Sequence, residues 1–440
     1  MKNFTATAFR ELFNIYGDKI DCARESVILK KHALYFDWGA SGLASTLVEN
    51  RIGEILPYYA NTHSDHSKHA MFMQELYKHS KKVIAKAFGL NEEFAIIACG
   101  SGASGAIKKF QELLGIYIPP ASRNFVQINS DAIPLVIVGS FEHHSNEISF
   151  REGICEVYRI PLDKDLNFDL SALEIKLKEN KHRKIIFSYN ALSNVTGNFA
   201  PIKEIHALAR KYKAIIAIDM AASGVDMSIE PSYFDACFLS PHKLLGGVGG
   251  CGILCIRKSL LNTALPPSFA GGGVVKYVDR LAQIYSKDEE EREEAGTPPI
   301  LQLYRTALAY QLREEIGQDL IKQKKKSLMR ILLKDLSAFK DIEIYGTQEH
   351  YGILSFNIQG ISPFELAHYL SYNYQIQTRA GCSCAGPYGH DLLHLENGVY
   401  RGEDHLYGWL RISLHYTHTR DEIARLLHAI HELNNLLKPR

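Results

Sequence analysis

Phe238-Leu239-Ser240-Pro241-His242-Lys243-Leu244-Leu245-Gly246-Gly247 sets a lysine directly behind an apolar strand, hemmed by Ser240, His242 and two glycines. A surface lysine does not keep such company. Desolvation at such a place lowers the pKa of an ammonium, and a neutral amine is nucleophilic toward an aldehyde. Taken alone, the stretch is better read as a structural lysine at a strand end. The segments around it change that balance.

From Leu34 to about Arg257, short apolar runs alternate with helical spacing. The pattern predicts strands over Phe94–Ala98, Pro134–Gly139, Lys184–Tyr189, Ala214–Asp219, Ala236–Leu239 and Gly252–Ile256. It predicts helices over Met71–Phe88, Gly105–Leu114, Leu170–Glu179 and Ile202–Lys211. Alternation with wholly apolar strands argues an α/β domain with a mostly parallel sheet covered on both faces. Ala217-Ile218-Asp219-Met220 ends one strand with a carboxylate, and a buried Asp is costly unless a cation pairs with it. A protonated pyridine nitrogen is such a cation. Phe141-Glu142-His143-His144 follows another strand and offers an imidazole to stack on a ring. Gly100-Ser101-Gly102-Ala103-Ser104-Gly105 matches G-x-G-x-x-G between strand and helix, so its amides can face a phosphate. A dinucleotide fold uses the same device, which leaves a nicotinamide dehydrogenase as a competing reading. A second match, Gly247 to Gly252, precedes a strand and is read as a flexible turn. For each residue by itself a structural role is at least as good. Together, three such groups at the C-terminal ends of parallel strands, beside a phosphate loop, converge on one cleft.

The 440 residues suit about two domains, and 46% hydrophobic with 22% charged residues is the balance of a folded globular chain. Fifty Lys plus Arg against 49 Asp plus Glu leaves a net charge of +1, which gives no footprint for nucleic acid or an anionic membrane. No apolar run is long enough for a bilayer, and Met1-Lys2-Asn3-Phe4-Thr5 has no apolar core of a signal peptide. The eight cysteines form no dense framework, and Cys99, Cys237 and Cys255 sit in apolar runs. A reduced, cytoplasmic setting follows.

The N-terminal segment to about Lys31 reads as an amphipathic helix through Phe9, Leu12, Phe13 and Tyr16. The charge-dense run Ser286–Glu294 reads as a solvated loop or helix face. Beyond it the sequence predicts a long helical region from Leu301 to about Phe339, strands near Ile342–Tyr345, Ile353–Asn357, Ile376–Arg379 and Leu410–His415, and a helix at Pro363–Leu370. Thr419-Arg420-Asp421-Glu422 fits a capping box that opens a last helix. The expected division is a large domain over 31–285 and a smaller α+β domain formed by 1–30 and 286–440.

From Tyr35-Phe36-Asp37 to the last helix, the sequence resembles the class V aminotransferase fold of pyridoxal phosphate (PLP) enzymes, fold type I, and most closely the cysteine desulfurases and selenocysteine lyases. The resemblance implies a mainly parallel, seven-stranded type of sheet and PLP held as a Schiff base on Lys243. It implies that Asp219 pairs with the pyridine nitrogen, that His143 stacks on the ring and takes a catalytic part in proton transfer, and that Ala103, Ser104, Ser240 and His242 hold the phosphate. Asn194, in Ser193-Asn194-Val195-Thr196-Gly197, would sit near the ring hydroxyl and the substrate carboxylate. Glu294-Ala295-Gly296-Thr297-Pro298 matches the segment that lends a Thr, here Thr297, to a neighbouring subunit's phosphate, which implies a homodimer with shared sites.

One position departs from the family pattern. Asp219-Met220-Ala221-Ala222 carries Ala222 where the family has a Gln that donates to the ring hydroxyl; Ser223 or a water are the possible substitutes. Thr378-Arg379-Ala380-Gly381-Cys382-Ser383-Cys384-Ala385-Gly386-Pro387 resembles the Arg-x-Gly-x-x-Cys-Ala-x-Pro loop of the desulfurases and places the nucleophile at Cys384. Arg411 matches the arginine that forks onto the substrate carboxylate, with Arg379 as its companion. The implied reaction takes sulfur from L-cysteine, or selenium from L-selenocysteine, and releases alanine. Its product, a persulfide on Cys384, would pass to a sulfur-acceptor protein. An aminotransferase or epimerase of the same fold is the alternative, and a non-catalytic scaffold is a further one. Cys382, His390 and His394 are residue types zinc favours, but at a spacing uncommon for zinc, and no metal is expected.

Overall fold

A computed structural model describes residues 6–13, 17–347, 349–396 and 407–437. In chain order the helices are α1 (Lys19–Glu25), α2 (Thr46–Ile55), α3 (Lys68–Ala87), α4 (Gly102–Leu113), α5 (His144–Arg151), α6 (Leu170–Glu179), α7 (Ile202–Lys211), α8 (Ile300–Ile316), α9 (Gln318–Leu336), α10 (Pro363–Tyr374), α11 (Gly386–Leu392) and α12 (Arg420–Leu437). The strands are β1 (Leu34–Tyr35), β2 (Phe94–Cys99), β3 (Leu135–Val138), β4 (Glu156–Arg159), β5 (Ile185–Asn190), β6 (Ile215–Asp219), β7 (Ala236–Leu239), β8 (Gly252–Arg257), β9 (Val275–Val278), β10 (Gln283–Tyr285), β11 (Ile342–Ile344), β12 (Ile353–Ile358), β13 (Ile376–Gln377), β14 (Arg379–Gly381) and β15 (Trp409–Ser413).

Seven strands form one sheet in the order β2-β8-β7-β6-β5-β3-β4. β4, β3, β5, β6 and β7 run parallel, and β8 lies antiparallel to both β7 and β2. Every residue of β2, β3, β5 and β7 is buried, because alternate side chains enter cores on both faces. Ile96, Ile137 and Phe187 point into one core, and Ile97, Val136 and Ile186 into the other with Ala106 and Phe110 of α4. β2, β3, β5, β6 and β7 all end on the same edge of the sheet, and the candidate residues follow those ends.

The charge-dense run is solvated only in part: Lys287 and Asp288 are exposed, but Glu290 and Glu294 turn toward the sheet. β2 is an edge strand, and its free amides need acceptors. Glu290 takes the Ile96 amide at 2.7 Å and Glu294 takes the Ala98 amide at 2.6 Å. Lys81 of α3 bridges both carboxylates at 2.9 and 3.0 Å, and the Tyr77 hydroxyl donates to Glu294 at 2.9 Å. The run therefore seals the sheet edge.

The N-terminal segment is not one helix either. The Glu315 carboxylate captures the Leu12 and Phe13 amides, and Asp18 caps a new helix, α1, by accepting from the Ile20 amide at 2.7 Å. Tyr16 and Met1–Thr5 lie outside the described residues. Gly317, at φ 98°, splits the long helical region into α8 and α9. The turn at Gly247–Gly252 is packed rather than flexible: a Cβ on Gly247 would lie 1.9 Å from the Pro241 carbonyl oxygen.

Ala8, Leu12, Phe13, Ile20 and all of the buried apolar face of α8 join the core of the seven-stranded sheet. The packing thus groups the N-terminal residues and α8 with the large domain, where the sequence grouped them with the small one. A second core gathers α9, α10, α12, Leu34 and Phe36 against the antiparallel sheet β11-β12-β15-β14. α12 opens with the expected capping box: Thr419 N–H donates to Glu422 at 2.8 Å and Glu422 N–H to the Thr419 hydroxyl at 3.2 Å. No helix among the described residues is long and apolar enough to cross a membrane.

Candidate active site

A cleft of about 260 Å3 opens at the strand ends, and it is lined by Ala103, Ser104, His143, Asn194, Asp219, Ser240, His242, Lys243, Arg379, Cys384 and Arg411. The structure thus brings together every residue that the resemblance assigns to catalysis, cofactor or substrate except Thr297. That residue is exposed, away from the cleft of its own chain, where its hydroxyl accepts from Asn61 at 3.1 Å.

Lys243 ends a 3-10 turn directly behind β7. Burial pushes its amine down to about 8; Asp219 pulls it back up, while Arg411 and Arg379 push it further down. Asp219, the last residue of β6, is 2% exposed and accepts from the Ala221 amide at 2.8 Å. Burial raises its carboxyl, opposed by that amide and by Lys243. His143 caps α5 through its own ring: the Ser145 amide donates to Nδ1 at 3.1 Å, which leaves the ring proton on Nε2. Burial and Lys243 hold its pKa down at about 4, so the ring is neutral.

α4 begins in the cleft, and its N-cap residue Ser101 makes no capping hydrogen bond. A helix start of this kind suits an anion. The Ala103 amide donates to the Ser240 hydroxyl at 2.8 Å, and the Ser104 hydroxyl lies 2.5 Å from that of Ser145. Gly102 has φ +55°, and a Cβ there would stand 2.8 Å from Cε1 of His242. Only glycine lets this loop close on that ring.

On the opposite wall, Arg411 of β15 is 2% exposed. Its Nη2 donates to Asp37 at 2.7 Å, and its Nη1 donates to the Asn194 carbonyl at 3.0 Å. Arg379 of β14 is cross-strand to Arg411 and reaches the other Asp37 oxygen at 3.2 Å. Asn194 in turn donates from Nδ2 to the Ser383 carbonyl at 2.7 Å, which ties this wall to the cysteine loop. Cys384 is exposed into the cleft, with φ +57° following Ser383 at φ +53°. His144 pins the loop twice: its amide donates to the Cys384 carbonyl at 2.8 Å, and its Nε2 accepts from the Gly386 amide at 2.8 Å.

Asp37 and His144 were missed from sequence. Asp37 is a single acid between Phe36 and Trp38 just after β1, a signal too common to single out, and His144 was masked by its neighbour His143. Ser223 is buried and does not line the cleft, whereas Ala221 and Ala222 do. No group of three or more His, Cys, Asp or Glu placed to hold a metal occurs among the described residues.

The aminotransferase class-V model matches residues 34–426. The chain belongs to that family. Within it, the chain is 27% identical over 412 residues to the cysteine desulfurase of Pectobacterium atrosepticum, covering 88% of this chain and 95% of the relative. It is 26% identical over 430 residues to a probable cysteine desulfurase of Pyrococcus abyssi, covering 94% and 98%. Among solved structures, the apo cysteine desulfurase of Thermococcus onnurineus superposes with a TM-score of 0.80 at 25% identity, covering 94% of this chain and 98% of that one. The mainly parallel seven-stranded sheet and the cleft at its strand ends are those expected from the sequence.

Three residues that line the cleft each carry a buried polar atom without a partner: Asn190 Oδ1, Asn194 Oδ1 and Arg411 Nε. Buried polar groups are rarely left so unless a ligand completes them. With a buried carboxylate, a depressed amine and an uncapped helix N-terminus, the donor set fits a flat, phosphorylated, cationic aromatic ring.

Proposed function

We propose that this chain is a PLP-dependent cysteine desulfurase that moves the sulfur of L-cysteine onto Cys384 and releases L-alanine. The observation that carries the reading is that Cys384 and Lys243 open into the same cleft. The site residues fit the cofactor. Lys243 would hold it covalently, Asp219 would pair with the ring nitrogen, and His143 would stack on the ring. Ala103, Ser104, Ser240 and His242 would surround the phosphate at the start of α4. When bound, PLP supplies an electron sink for the substrate Cα.

The rest falls to side chains of the chain. Arg411 and Arg379 receive the substrate carboxylate, with Asp37 holding both guanidinium groups in place until it arrives. Asn194 keeps that wall aligned with the cysteine loop. Lys243, neutral above about pH 8, removes the Cα proton. The Cys384 thiolate attacks the substrate sulfur, and the C–S bond breaks as the new S–S bond forms. A selenocysteine substrate would pass through the same arrangement. Free cysteines throughout the described chain support a reducing compartment such as the cytoplasm.

A homodimer with shared sites is also part of this reading. Thr297 is exposed and unused by its own cleft, and the segment before it carries the exposed apolar side chains Phe269, Tyr277, Val278, Leu281 and Ile284. Thr297 would then reach the phosphate of a second copy.

Ala222 favours one competing reading, an aminotransferase or epimerase, because no side-chain donor stands where the family has Gln. Incubating the PLP-loaded protein with L-cysteine, with and without a reductant, separates the two. Alanine and sulfide in equal amounts support the desulfurase; a keto acid or D-cysteine without alanine overturns it.

A further inference from the structure

Glu142 stands one residue before His143, 1% exposed and outside the lining of the cleft. β3 stops at Val138, which pairs with Ser188, so Tyr189 and Asn190 of β5 run on past it. On that side the Asn190 amide has no strand to bond to and needs another acceptor. Glu142 folds back from the turn after β3, and its Oε1 accepts from that amide at 2.8 Å. Its Oε2 accepts from Nδ2 of Asn146 at 2.7 Å. Asn146 donates its own amide to the His143 carbonyl at 2.8 Å and accepts from the Ser188 hydroxyl at 2.6 Å. The turn that carries His143 is thereby tied to β5 at two points. Asn190 also pairs in register with Asp219 of β6, so the two side chains share one face of the sheet, and both residues line the cleft. Gly139 makes room for this arrangement: a Cβ there would lie 2.3 Å from Oε1 of Glu142.

We propose that Glu142 is a positioning residue for the cofactor ring, holding the His143 turn and the ends of β5 and β6 in the alignment that the ring requires. The proposal rests on the PLP reading above and adds the group that aligns the residues around the ring.

Glu142 does this as a neutral acid. Burial raises its carboxyl to about 8, with Asp219 and Glu147 adding to the rise and the Asn146 and Asn190 donors opposing it. Both neighbouring charges have its own sign. A neutral Glu142 leaves the negative charge here to Asp219, the residue that must be ionised to pair with a ring cation. Glutamine keeps that neutrality and an oxygen for the Asn190 amide.

The test titrates the cofactor-free protein with PLP, reads the absorbance and the visible circular dichroism of bound cofactor, and then follows alanine formation from L-cysteine. In Glu142→Ala the dichroism per bound cofactor should fall by about half or more, because the ring loses its fixed orientation. Its kcat should fall about tenfold while KM for cysteine changes less than about threefold, since Arg411 and Arg379 are untouched. Gly139→Ala keeps Glu142 in the chain but displaces its carboxyl, and it should reproduce that pattern; it decides the matter if Glu142→Ala does not fold. Glu142→Gln should stay within about threefold of wild type on every readout. Wild-type dichroism and kcat in Glu142→Ala or Gly139→Ala, or a Glu142→Gln as impaired as Glu142→Ala, overturns the role. A wild-type chain that binds no PLP overturns the cofactor reading instead.

Discussion

Lys243 and Cys384 face one cleft from two unlike kinds of backbone. Lys243 stands behind β7, whose four residues are all buried, and its depressed amine follows from that burial. Cys384 stands on a loop with two successive left-handed residues and an exposed side chain, held by His144, Asn194 and Trp409. Non-glycine residues there cost of order 1–3 kcal/mol each and persist only where their surroundings hold them. Proton chemistry at Lys243 gains from exclusion of water. Sulfur delivery at Cys384 needs a thiol that can be reached from outside. The contrast suggests that floor and loop can be disabled separately.

Lys243→Ala should give the largest effect. It should abolish the absorbance band of bound cofactor, at roughly 410–430 nm, and lower alanine formation about a thousandfold or more. A variant that kept the band would break the assignment of the floor. His144→Ala should act on the loop alone: the band stays, and sulfur transfer falls about tenfold as the loop loses the ring's bond to the Gly386 amide and keeps only the backbone bond to Cys384. Loss of the band in this variant would mean floor and loop are not separable.

The two arginines sharpen the contrast within one wall. Arg411→Lys should raise KM for cysteine about tenfold, since a lysine cannot form the fork and leaves the partly buried Asp37 beside a poorer partner. Arg379→Lys should cost less, because Arg379 is 40% exposed and makes a single contact to Asp37. Equal effects would deny the ranking.

The smallest effect concerns pH. Cofactor capture by the cofactor-free chain needs a neutral Lys243, so its rate should rise with pH and level off above about 8. Asp219 raises that pKa, so Asp219→Asn should move the midpoint to lower pH. His143, held near 4, should add no inflection around neutrality.

The same contrast explains what the sequence made legible. β2, β3, β5, β6 and β7 were read to within one or two residues because burial on both faces leaves wholly apolar runs. β4, Glu156-Val157-Tyr158-Arg159, was missed because an exposed edge strand carries no such run. The antiparallel course of β8 is a matter of pairing, on which its composition is silent. Glu290 and Glu294 looked solvated because their partners, the Ile96 and Ala98 amides, lie almost two hundred residues away. In the site, Lys243, Asp219 and His143 could be found because each follows a recognisable strand, and Cys384 because its loop resembles a known one. Asp37 could not, since its importance lies in holding two arginines more than 300 residues distant.

The most direct test of sulfur transfer at Cys384 is alanine formation from L-cysteine by Cys384→Ser, followed together with the cofactor band. The expected result is an unchanged band with no alanine above background. Alanine formed at the wild-type rate would contradict it.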